Sequence, residues 1–358
     1  MTTKSLSLSL WERVDLFISQ LSAFGSVLCR ALTGVFRGQS GAKTYKLHVG
    51  NSLIRAFGSR LSPRQFQHVY PPTKSAYETF MKSKGIEPES VTLNDGATAH
   101  WIGNKNAKNV VVYYHGGGFV IPAADGHFEF FTSLVARLNA ANHDVAIFFL
   151  AYTLAPQEIY PVQLRQSADA LRYILTETGR SPSNVVVGGD SAGGNLALAL
   201  LLHLSHPHPD IEPLGHALSS PLAGVVGFAP WVDFGVDGPT IQQNRDKDMI
   251  PEIALVNWSR EYLGGKEGDE WSEPNRAPVE WWRDAREKTQ RLLFLTGNDE
   301  ILFSAIDAFV KKVQTVVPDA TYVVGHRETH VAPVYSGQFL NEETQQGKAL
   351  ESWLAALF

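Results

Sequence analysis

Near the N-terminus apolar residues recur every three to four positions; farther along they gather into short unbroken blocks. From Trp11 to Val35 the series Val14, Phe17, Ile18, Leu21, Phe24, Leu28 and Leu32 falls on one side of a helix. The other side carries Ser, Gln and Gly with scattered charge. The expectation is a helix whose stripe packs on the body of the protein. Attachment to a membrane interface is the alternative, although the polar face lacks the Lys and Arg that such helices favour. Residues 43–84 read as further helix and loop.

The blocks begin next. Val91–Leu93 and Thr98–Ile102 straddle Asn94-Asp95-Gly96, a hairpin signal. Asn109–Tyr114, Val145–Ala151, Asn184–Val187, Gly224–Phe228, Arg291–Leu295 and Thr321–Val324 read as strands. Helices are expected near Leu164–Thr176, Ala192–Leu204 and Lys348–Leu357. Strands alternating with helices predict an α/β fold with a mostly parallel central sheet covered on both faces. Between Trp231 and Arg286 the rhythm stops in a stretch rich in Trp, Pro and charge. That stretch is long for a loop and is expected to be an inserted helical cap over the carboxyl ends of the strands.

At 358 residues the chain can build one large α/β domain with a sizeable insertion, or two ordinary domains. Lys+Arg 31 against Asp+Glu 36 leaves a net charge of −5. No global field therefore favours nucleic acid or anionic lipid. The single cysteine, Cys29, excludes an intrachain disulfide and fits a reducing compartment. No run of eighteen apolar residues occurs, so no spanning helix is expected. Glu12, Arg13 and Asp15 interrupt what would otherwise resemble a signal peptide, and the protein is read as cytoplasmic.

Two glycine-rich clusters carry the chemistry. His115-Gly116-Gly117-Gly118 follows one expected strand, and Gly189-Asp190-Ser191-Ala192-Gly193-Gly194-Asn195 follows another. The second contains G-x-S-x-G, a sharp strand-to-helix turn that lifts a serine hydroxyl to the top of a sheet. Ser191 is the candidate nucleophile and needs a base to remove its proton. His330, on a loop after the last expected strand, is the preferred base, with His326 its main rival. The acid should follow Arg291–Leu295, where Asp299 and Glu300 adjoin and spacing alone does not separate them. The N–H groups of Gly117, Gly118 and Ala192 are the candidate oxyanion donors. His115 reads as a loop-organising residue. His203, His206 and His208 crowd one segment without a regular metal-ligand spacing, so no metal is expected there.

With Tyr113–Phe119, Tyr152-Thr153-Leu154-Ala155-Pro156, Gly189–Asn195 and His330 in place, the chain resembles the hormone-sensitive-lipase-like branch of the α/β-hydrolase superfamily, over roughly residues 85–358. The resemblance implies a cofactor-free carboxylesterase or lipase with a cap built from N-terminal helices and an insertion. It divides the chain into an N-terminal cap segment, 1–84, a catalytic domain, 85–230 and 287–358, and an inserted cap segment, 231–286. The branch's acid-x-Leu-Arg-Asp pattern selects Glu300 through Leu302, although Phe303 and Ser304 replace the usual Arg and Asp. Thr153 and Gln157 likewise stand where charged residues are usual. More broadly, the chain is similar to filamentous-fungal members that accompany specialised-metabolite pathways.

The expected reaction is cleavage of a medium or bulky hydrophobic carboxylic ester through an acyl-enzyme. The alternative uses the same site for cyclisation, condensation or elimination; a non-enzymatic small-molecule receptor is the third reading. The expected partner is a small hydrophobic substrate, with no nucleic acid, no metal and no organic cofactor. Peripheral membrane contact through the N-terminal helix stays open.

Overall fold

The computed structural model describes residues 7–340 and 342–358. Four helices precede the sheet: α1 (Leu10–Thr33), α2 (Tyr45–Arg60), α3 (Pro63–Val69) and α4 (Thr73–Ser83). Ser9 starts α1 by accepting the Glu12 N–H, while the Glu12 carboxylate takes the Ser9 N–H in return. Thr44 and Ser62 cap α2 and α3 in the same manner, each accepting an N–H three residues on.

The sheet strands are β1 (Glu89–Thr92), β2 (Thr98–Ile102), β3 (Asn109–Tyr114), β4 (Val145–Ala151), β5 (Val185–Asp190), β6 (Gly224–Phe228), β7 (Leu292–Gly297) and β8 (Thr321–Gly325). Their spatial order is β1-β2-β4-β3-β5-β6-β7-β8. The first two form the expected hairpin and β2 pairs antiparallel with β4; every other pairing is parallel. Because helices cover both faces, β3 to β7 are buried along nearly their whole length, which explains their unbroken Val, Ile, Phe and Leu runs.

Helices α5 (Asp125–Ala140), α6 (Val162–Thr176), α7 (Ala192–Ser205), α8 (Pro239–Gln243), α9 (Glu252–Leu263), α10 (Val279–Arg286), α11 (Phe303–Gln314), α12 (Ala332–Leu340) and α13 (Gln345–Leu357) complete the chain. Of these, α5, α11 and α12 have no counterpart in the sequence reading. Helix α7 is apolar all round and buried from Ala192 to His203, as a helix clasped between sheet and neighbours must be. The segment 231–286 holds α8, α9 and α10 with loops between them. Its α9 packs against α2, so the two stretches outside the strand rhythm touch each other.

Two expectations about α1 are corrected. Its apolar stripe does not pack on the body: Phe17, Leu21 and Leu28 are 62%, 57% and 62% exposed, and the buried positions are Ser19 and Ala23. The helix is also longer and more apolar than the count of consecutive apolar residues implied. Leu10–Phe36, 27 residues, suffices by length and composition to cross a membrane. Isolated Ser, Gln and Gly residues break the apolar run without much lowering its mean hydropathy, and a criterion of strict continuity overlooks that.

Candidate active site

The site lies where the parallel strands end, because each loop leaving a carboxyl edge opens on the same side of the sheet. Strand β5 stops at Asp190 and α7 starts at Ala192, so Ser191 alone makes the turn, at φ 54° and ψ −116°. A positive φ is costly for a residue with a β-carbon. Here the surroundings hold it: the Ser191 N–H donates to Phe228 O at 2.9 Å, and Ser191 O accepts from Trp231 N at 3.0 Å. Phe119, Ala229 and Val331 also have positive φ, at 63°, 44° and 46°. Each adjoins an oxyanion-loop, strand-end or histidine-loop residue, so backbone strain gathers around the site. The turn requires glycine at Gly193, since a β-carbon there would run into the carbonyl of Tyr114.

His330 is buried, and its Nδ1 lies 2.5 Å from Glu300 Oε2. The other Glu300 oxygen accepts from Thr296 Oγ1 and from the Gly297 N–H at 3.1 Å. Burial alone would push the imidazole pKa down. The Glu300 hydrogen bond and charge, helped by Asp248 and Asp190, outweigh it and raise the pKa above the usual histidine value. The far nitrogen, Nε2, is buried and has no hydrogen-bond partner among the described residues.

Of the two adjacent carboxylates, Glu300 faces the histidine. Asp299 instead pairs with Lys247 at 3.0 Å and Arg327 at 3.3 Å. His326 is exposed at a turn, its N–H donating to Gln345 Oε1. His115 is buried with Nδ1 donating to its neighbour's carbonyl, Gly116 O, at 2.7 Å, and its ring stacks on Tyr152 at 4.4 Å. Burial, the largest influence, pushes its pKa down to about 4, which leaves it neutral near pH 7. In the crowded histidine segment His206 stacks on Trp281 at 4.2 Å, and His208 meets Trp271 edge-on.

Gly117 and Gly118 follow β3 at φ 109° and 60°. Among the described residues, no backbone carbonyl accepts from the N–H of Gly117, Gly118 or Ala192. The Gly117 carbonyl is used by Val120 and Ile121, which closes the loop into a tight turn. A β-carbon at Gly118 would collide with the indole of Trp258, a residue of α9.

Three features have no counterpart in the sequence reading. Asp190 is fully buried beside the serine, accepting from the Tyr113 hydroxyl at 2.9 Å, the Gly116 N–H at 3.0 Å and His127 Nε2 at 3.2 Å. Burial would raise its pKa, but the His127 charge and hydrogen bond, with the Tyr113 bond, bring it below the usual carboxylate value. Asp190 thus ties the glycine loop to the serine turn. Asp248, from the inserted segment, accepts the N–H groups of Ile301 at 2.9 Å and Met249 at 2.8 Å, and also bonds the histidine loop. Burial drives its pKa up to about 6. The third is Trp258 over Gly118. Asp190 carried a signal, since it stands next to the serine in the glycine cluster; Asp248 and Trp258 had none beyond their residue type.

Residues 111–334 match the family model described as the alpha/beta hydrolase fold. Among curated proteins the chain is similar to an esterase of Acinetobacter venetianus, 26% identical over 56% of this chain and 57% of that protein. It is also similar to the carboxylesterase NlhH of Mycobacterium tuberculosis, 39% identical over 25% of this chain and 28% of that protein. The matched stretches thus span less than two thirds of either relative. A solved esterase from the bacterial hormone-sensitive lipase family superposes with a TM-score of 0.64 at 24% identity, covering 88% of this chain and 97% of that one. The family match begins inside β3, takes in both glycine clusters and ends just beyond His330, so it coincides with the elements that carry the site. The chain therefore belongs to the α/β-hydrolase fold family.

Proposed function

We propose that this protein hydrolyses a carboxylic ester through a covalent acyl-enzyme. The observation that carries the reading is the buried Glu300–His330 pair, with Nε2 unpartnered among the described residues, on the loop after β8 at the same carboxyl edge where β5 leads into Ser191. Glu300 holds Nδ1 in its protonated tautomer, so Nε2 keeps a free lone pair for the serine proton. Ser191 attacks the ester carbonyl, and the N–H groups of Gly117, Gly118 and Ala192 receive the oxyanion. His330 then returns its proton to the departing alcohol, and the same nitrogen activates water to release the acid.

A medium or bulky hydrophobic substrate fits the aromatic side chains gathered around the glycine loop. Phe119 and Tyr262 stack at 3.7 Å, Trp231 stacks on Phe119 at 6.5 Å, and Trp258 covers Gly118. In this reading residues 7–84 and 231–286 form a cap on the catalytic domain of residues 85–230 and 287–358, residues 1–6 of the expected cap segment and residue 341 of that domain lying outside the described residues. The packing of α2 on α9 supports a cap built from both. The resemblance of the matched relatives, an esterase and a carboxylesterase, supports the same chemistry.

The test is hydrolysis of p-nitrophenyl acetate, butyrate and decanoate by the wild type and Ser191→Ala, with a fluorophosphonate label as a second readout. Turnover and labelling that vanish in Ser191→Ala are expected. A folded wild type that neither turns over any of these esters nor takes the label would overturn the proposal.

A further inference from the structure

Helix α1 is docked inside out. At 3.6 residues per turn, the exposed Leu10, Trp11, Phe17, Ile18, Leu21 and Phe24 share with Val14, Leu28 and Leu32 a stripe about 140° wide. These side chains are more than two fifths exposed, and among the rings only Phe24 meets an aromatic neighbour, Phe57 of α2, edge-on at 6.1 Å. The polar side of the helix faces inward, where the body supplies partners. Glu12 pairs with Arg64 at 3.2 Å, Asp15 accepts from Gln65 Nε2 at 2.8 Å, and Arg30 pairs with Asp246 at 2.8 Å. Ser19 and Ala23 are buried beneath. An apolar stripe of this extent on a docked, oriented helix marks a contact surface.

We infer that this stripe embeds in the interfacial layer of a lipid bilayer, with α1 lying flat on the membrane. A spanning orientation would strip Glu12, Asp15 and Arg30 of their partners on α3 and on the segment that follows α8, so the helix lies along the surface. A second copy of the chain fits less well. Helix pairs use a narrower seam flanked by charges, whereas here no Asp, Glu, Lys or Arg occurs from Leu16 to Cys29. Charge also points to lipid. In the groove beside the C-terminal half of α1, Arg30 is paired with Asp246 and Arg55 donates to the Asp248 carbonyl, which leaves Arg60 and Arg245 against Glu252. That excess of guanidinium groups suits the phosphates of an anionic headgroup layer.

Flotation of the full chain with vesicles of phosphatidylcholine, with and without a minority of phosphatidylserine, tests the inference. The comparison is with Phe17→Glu/Leu21→Glu, and light scattering on a sizing column gives the mass of each. The wild type is expected to float, more strongly with phosphatidylserine. The double variant, with wild-type circular dichroism, should lose about tenfold in partitioning per replaced side chain. A wild type that stays at the bottom of the gradient overturns the inference; if it is also dimeric and the variant monomeric, the stripe binds a second copy. Flotation undiminished in the variant overturns it too. None of these readouts depends on ester hydrolysis, so failure here leaves the active-site proposal standing.

Discussion

The main-chain N–H of His330 donates to Asp248 at 3.1 Å, across 82 positions of sequence. Through its second oxygen Asp248 also holds the N–H of Ile301, next to Glu300. One buried carboxylate from the inserted segment therefore braces the loops of both the proposed acid and the proposed base. Asp248→Ala is expected to lower kcat by about 10²-fold through misplacement of the pair, with KM nearly unchanged. It should also cost about 1–3 kcal/mol of stability for the N–H groups left unpaired. Removing a nearby negative charge should in addition shift the acid limb of the pH profile downward. A variant that keeps both kcat and that midpoint would show Asp248 to be a packing residue only.

The pH dependence follows from the state His330 must be in. Only the neutral imidazole accepts the serine proton, so activity disappears as pH falls through its pKa in the folded protein. Since Glu300 carries that pKa above the usual value despite burial, the acid-limb midpoint of kcat/KM should lie above about 6.5. In Glu300→Gln the charge is gone and burial dominates, so the midpoint should move below it. The same variant should lose about 10³–10⁴-fold in kcat, because the amide no longer fixes the tautomer. Kinetics with p-nitrophenyl butyrate between pH 5 and 9 would check both, and an unmoved midpoint would speak against the pairing.

Trp258 occupies the space directly above Gly118. If it limits the depth of the substrate pocket, Trp258→Ala should favour decanoate over acetate relative to the wild type, by about tenfold or more in the ratio of kcat/KM. Loss of activity on all three esters in equal proportion would instead make Trp258 a support for the glycine loop.

Asp190 shares one buried network with Tyr113, His127 and the Gly116 N–H. Asp190→Ala would leave those donors without a partner in a dry interior. A loss of about 2–5 kcal/mol in urea unfolding is expected, at about 1–3 kcal/mol for each unpaired group. In whatever fraction remains folded, the glycine loop should be loose and kcat reduced. A variant of unchanged stability would mean that the network contributes little.

Much of this was legible in the chain. The strands β3, β4 and β6 span the expected blocks, because a strand buried on both faces is apolar along nearly its whole length. The serine turn was legible because a strand, two glycines and an apolar helix leave the serine few other conformations. The acid was harder. Asp299 and Glu300 are chemically alike and adjacent, and only folding turns one toward His330 and the other toward Lys247 and Arg327.

The direction in which α1 faces lay beyond any pattern. Periodicity reveals that a helix has an apolar side, but whether that side meets a core or a solvent depends on where the helix docks, and its ion pairs decide that. Asp248 and Trp258 were invisible for a related reason. A carboxylate or an indole in a loop-and-helix insertion acquires a role only from neighbours 50 to 140 positions away along the chain, brought close by the fold. The local order of residues determined the elements and the reactive groups, because hydrophobic period and turn chemistry act over a few residues. Which groups meet, and which surfaces stay uncovered, was decided by tertiary packing, which acts between residues that the sequence holds apart.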